Sequence, residues 1–156
     1  MNRKARIDLI AVLLILLILV VGYKLSPLLL PQADSVVLPD AGCDLQQGPC
    51  AVAFPGGGIL TVDVDSRPLP LVTPFRLSVR VQGIETARIE ADFSGVDMNM
   101  GYNRLSLAQE TPGVYAGQVT LPVCVTGRMN WLATILVQQA DRQVAVPLRF
   151  TTGGAH

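Results

Sequence analysis

Histidine is nearly absent from this 156-residue chain: the one copy is His156, the last residue. With none inside, a Ser-His-Asp or Cys-His catalytic apparatus lacks its general base, and a histidine-rich zinc or copper(II) site lacks its ligands. Lysine is as scarce. After residue 34 there is none, and eight arginines stand against ten carboxylates. Nucleic acid and anionic lipid both ask for a basic face, so neither is expected as a partner. Helical periodicity is also missing beyond the first thirty residues, and no internal repeat is visible. The glycine run Gly56-Gly57-Gly58 lacks the lysine and the strand-to-helix setting of a phosphate loop, so it reads as a flexible turn.

What is there begins at the N-terminus. Leu9 to Tyr23 is an aliphatic run preceded by Arg3, Lys4 and Arg6. Backbone amides in lipid can pair only with each other, so such a run is helical, and the basic residues keep its N-terminal side in the cytoplasm. The run by itself is shorter than the ~20 residues of a free span, as a signal peptide's would be. Its flank argues for an uncleaved anchor. Gly22-Tyr23-Lys24-Leu25-Ser26-Pro27 offers no small-x-small cleavage pair, Lys24 can snorkel, and Leu25 and Leu28-Leu29-Leu30 add apolar length. Cys43 follows Asp40-Ala41-Gly42, which is no lipobox. The expected organisation is an anchor over residues 1–30, a linker over 31–42 holding Pro31 and Pro39, a domain over 43–152 and a tail over 153–156. The expected location is the inner membrane, crossed once by residues 9–30, with the domain in the periplasm.

Beyond the linker the pattern is short and alternating. Strands are expected at 51–54, 58–64, 75–82, 87–93, 103–108, 114–121, 132–138 and 144–150. Leu77, Val79 and Val81 oppose Arg76, Ser78 and Arg80, while Ile89, Ala91 and Phe93 oppose Arg88, Glu90 and Asp92. Each such strand has one buried face and one wet face. Turn residues at regular intervals between them predict an all-β fold, an immunoglobulin-like antiparallel sandwich preceded by one transmembrane helix. Trp131 is expected to pack between the sheets. Asp63 and Asp65 share a strand face, and such a pair decorates a solvated side rather than a catalytic centre.

Three cysteines, Cys43, Cys50 and Cys124, all follow the anchor. In an oxidising compartment a disulfide is the default, and three thiols leave one over. Cys43 and Cys50 flank the turn-like Gln47-Gly48-Pro49 and form the expected pair, with soft-metal binding or thiol exchange as the competing uses. The most unusual local composition is Phe93 to Asn103, which holds Met98 and Met100; Met129 lies beside Trp131. Thioethers at i and i+2 point the same way in an extended segment, and thioether and thiolate sulfur select copper(I). Met98, Met100, Cys124 and Met129 are therefore the candidate metal ligands, against the alternative that methionine fills an irregular end of the core.

These residues carry a resemblance. Phe93-x-Gly95-x-x-Met98-x-Met100-Gly101, Pro112-Gly113-Val114-Tyr115-x-Gly117 and Leu121-Pro122-x-Cys124-x-x-Gly127-x-Met129-x-Trp131 resemble the FixH and YtkA-like group of membrane-anchored extracytoplasmic domains. The likeness runs over about residues 60–150 in short pieces, and the three cysteines and the lack of internal histidine depart from it. It implies a non-enzymatic accessory protein in copper handling or in assembly of a haem-copper respiratory oxidase, partnered by an inner-membrane complex or a copper chaperone. Two alternatives remain at this point: a metal-free interaction module, and a thiol redox partner using Cys43 and Cys50.

Overall fold

A computed structural model describes residues 3–29, 33–54, 56–98, 101, 103–122, 127–140 and 142–153. The chain divides into two compact units, residues 1–32 and 33–156. The first is the helix α1 (Arg3–Leu29). Its 27 residues extend about 40 Å at 1.5 Å per residue, more than a bilayer's apolar core. Within it Ile7–Lys24 is long and apolar enough to cross a membrane.

The second unit is built of ten strands: β1 (Ser35–Val36), β2 (Cys50–Ala53), β3 (Ile59–Val64), β4 (Phe75–Gln82), β5 (Arg88–Gly95), β6 (Arg104–Ser106), β7 (Ala108–Thr111), β8 (Val114–Val119), β9 (Met129–Gln138) and β10 (Gln143–Thr152). They form two five-stranded sheets, β1-β10-β9-β5-β6 and β2-β3-β4-β8-β7. Every pairing is antiparallel except β1 with β10. The chain passes from one sheet to the other between β1 and β2, β4 and β5, β6 and β7, and β8 and β9. The alternation expected of β4 and β5 is present: Leu77, Val79, Ile89 and Ala91 are fully buried. Side chains from both sheets merge into one core.

Three elements differ from the sequence expectation. Ser35-Val36 lies in the stretch read as linker, yet it adds a strand to β10, so the domain starts well before Cys43. A two-residue strand carries no period for sequence to reveal. β7 has no inward-facing residue and is exposed throughout, which removes the alternation that marks a strand. β9 begins at Met129 rather than Leu132, because Met129 and Trp131 continue its inward row.

Trp131 lies between the sheets with no exposed surface. Its indole Nε1 donates to Thr152 Oγ1 at 2.8 Å. Thr152 is the buried polar side chain that makes this position tolerable for an N–H donor. Phe150 lies nearly parallel to Trp131, and Phe93 meets Phe150 edge-on with centroids 6.5 Å apart. Cys43 and Cys50 form a disulfide with Cα atoms 5.4 Å apart. It closes the segment that delivers Leu45 into the core. Arg67 fixes the same segment by donating to the carbonyls of Leu45 and Val64, each at 3.0 Å.

Candidate functional site

Two of the sulfur-bearing segments named by the sequence, those of Met98 and Met129, meet at one end of the first sheet, where β5 stops and β9 starts. Gly95 is paired with Trp131. Just beyond, the Val96 amide donates to the Asn130 carbonyl at 2.9 Å, and Asn130 Nδ2 donates to Asp97 Oδ2 at 2.9 Å. Two hydrogen bonds thus hold the segment leading to Met98 onto the strand that carries Met129. Asn130 is held in turn by the Thr151 hydroxyl, which donates to its Oδ1 at 2.9 Å. Three chain segments are tied together through one amide side chain.

The two described methionines occupy different environments there. Met98 is half-exposed, at 38%, whereas Met129 faces the core and is 3% exposed. Met100 and Cys124 lie outside the described residues. Among the described residues no three His, Cys, Asp or Glu side chains gather as a metal site. Cys43 and Cys50 are joined to each other, and Cys50 is buried. Reductive exchange would have to enter from the Cys43 side.

Beside this end lies a cleft of about 590 Å³, lined by Asp44, Gln46, Val96, Asn130, Trp131 and Arg149 among others. Most of its polar wall is already satisfied. Both carboxylate oxygens of Asp44 accept within its own turn, from the Gln46 amide and from Gln47 Nε2. Gln46 ties β10 to the loop between β3 and β4: its Nε2 donates to the Thr151 carbonyl at 2.8 Å and its Oε1 accepts from the Leu69 amide at 2.9 Å. Gly153 closes the cleft at the end of β10. Its φ is +76°, and a Cβ there would lie 1.6 Å from the Gly127 carbonyl oxygen, so only glycine fits.

The aspartates at 63 and 65 are both engaged with neighbouring groups. Asp63 pairs with Arg67, and Asp65 Oδ1 accepts from Ser66 and from the Arg76 amide. Elsewhere Glu90, on the outer face of the first sheet, sits between Arg88 and Arg104. Partial burial pushes its pKa up, but the Arg104 hydrogen bond and the charges of Arg104 and Arg88 outweigh this and hold it below the usual value.

Sequence reasoning missed Asn130, Asp97, Gln46 and Arg149. Asn130 had a legible signal, since it precedes the inward Trp131 on an alternating strand and so faces outward. Gln46 had none, because its partners are 23 and 105 residues away.

No protein-family model matches this chain, and no curated protein matches it. An engineered protein of known crystal structure is similar over 67% of this chain and 21% of its own length, with 14% identity and a TM-score of 0.43.

Proposed function

We propose that this protein is a non-enzymatic accessory protein of the inner membrane, with α1 as its single anchor and its β domain in the periplasm. Its role is copper(I) handling during assembly of a haem-copper respiratory complex. The domain is read as an immunoglobulin-like sandwich. The orders β3-β4-β8-β7 and β10-β9-β5-β6, with the chain crossing between these eight strands three times, support that reading. The observation that carries the functional reading is the pinning of the Met98 segment onto the start of β9 by the Val96–Asn130 and Asp97–Asn130 hydrogen bonds. It brings the segment of Met98 to the start of the strand of Met129; Met100 follows Met98 by two residues, and Cys124 precedes that strand in sequence. Soft sulfur donors brought together in this way would bind copper(I) and pass it to a chaperone or complex at the membrane. Copper K-edge absorption of the full chain loaded with copper(I) in detergent tests this. A first shell of sulfur scatterers is expected, and a shell of only nitrogen and oxygen overturns it.

A second reading rests on Met129, whose 3% exposure suits a core filler better than a ligand. On that reading the same end of the sheet is a metal-free docking surface for a membrane partner. The joined state of Cys43 and Cys50 supports a structural staple over a thiol redox role.

A further inference from the structure

We infer that the cleft beside β10 receives an extended, acidic segment of a partner protein, which adds a strand to the open edge of the first sheet and sets a carboxylate on Arg149. The inference goes beyond the copper reading and does not depend on it.

The edge is defined by register. The Asp34 amide donates to the Gln143 carbonyl at 2.8 Å and the Val37 amide to the Ala145 carbonyl at 2.9 Å. The odd-numbered residues of β10 therefore turn their backbone groups away from β9. The paired register of β1 stops at Val36↔Ala145, so from Pro147 to Thr151 that edge has no strand beside it among the described residues. Pro147 has no N–H to offer. The Thr151 carbonyl is taken by Gln46. What remains is the C=O of Pro147, the N–H and C=O of Arg149 and the N–H of Thr151, one side of a short ladder.

The side chains choose the occupant. Asp44, Gln46 and Asn130 have their polar atoms engaged within the domain. Arg149 lines the cleft, is exposed, and has no hydrogen-bond or ion-pair partner among the described residues. Among the described residues lining the cleft, Arg149 thus offers a guanidinium without a partner next to unpaired backbone groups and the exposed aliphatic side chain of Val96, with Arg128 lining the same cleft. Its complement is an extended peptide with an acidic residue among apolar ones. A second copy of this chain fits poorly. Two β10 edges paired antiparallel about Arg149 would set two guanidinium groups side by side.

The test uses the full chain in neutral detergent at low ionic strength, without copper. The probes are the fluorescein-labelled, end-blocked peptide Thr-Val-Asp-Val-Thr-Val and its counterpart with Asn for Asp. Fluorescence anisotropy should show saturable binding of the Asp peptide. Both Arg149→Gln and the Asn peptide should weaken binding by about fivefold or more, with little further loss when combined. Arg80→Gln, an exposed arginine on β4 of the other sheet, should bind like wild type. Equal affinity for the two peptides, an equal loss in Arg80→Gln, or no saturable binding overturns the proposal. So does a wild-type dimer that the peptide dissolves, which would make a second copy the occupant. Because no metal is present, failure here leaves the thioether site standing, and loss of the thioether site leaves this edge standing.

Discussion

Val72 has φ of 52°, in the left-handed region, although it is β-branched and 66% exposed. Its amide is held by the Leu121 carbonyl at 2.9 Å, so the turn cannot relax around it. A non-glycine residue in this region costs roughly 1–2 kcal/mol, and glycine returns about 0.5–1 kcal/mol of that as unfolded-state entropy. Val72→Gly should therefore stabilise the domain by about 0.5–1 kcal/mol in urea unfolding, since little burial is lost. Glu90 offers the second prediction at this scale. Its pKa is lowered in the folded state, so its contribution is present above the unfolded value of about 4.3 and disappears as pH falls through the folded value. Glu90→Gln should flatten the loss of stability on acidification below about pH 4.5, measured by urea midpoints against pH. An unchanged slope would show that Arg88 and Arg104 do not hold the carboxylate in solution.

At the scale of elements, the segment 43–50 is a loop that a disulfide turns into part of the core. Closing eight residues removes about 2.5 kcal/mol of unfolded-state entropy. Replacing both Cys43 and Cys50 by serine should cost about 2–3 kcal/mol and loosen Leu45, which amide exchange of Leu45 and Gln46 would report. The end of β10 makes a sharper test of the fold. Gly153→Ala sets a methyl group against the Gly127 carbonyl oxygen at a backbone angle that suits glycine. A loss of about 2 kcal/mol or more is expected, with the disturbance passing through residues 127–130 to the Met98 segment. A neutral result would mean that the two glycines do not meet.

For the whole molecule, the parts legible in the sequence are those whose period is local. The apolar helix was readable because Leu9 to Tyr23 is unbroken, and β4 and β5 because charged or polar residues alternate with apolar ones along them. The Cys43–Cys50 staple was readable from the turn between the two residues. β1 and β7 were not, because one has two residues and the other has no buried face. The pairing of β1 with β10 joins residues 109 apart, which no local pattern announces. The candidate site divides the same way. Its methionines stood out by composition, whereas the Asn130 lock and the open Arg149 edge exist only once β5, β9 and β10 lie side by side.

The central claim is that the end of the first sheet is a copper(I) site built on Met98 and Met100. The most direct measurement is a copper(I) titration of the full chain in detergent against a chelator of moderate affinity, for wild type and for the double variant Met98→Leu with Met100→Leu. Leucine keeps volume and apolarity close to methionine, so folding should be little changed. The account predicts one copper(I) per chain in the wild type and none held by the double variant. A wild-type chain that yields all its copper to the chelator contradicts it, as does binding that survives the double substitution and is lost on Cys124→Ser.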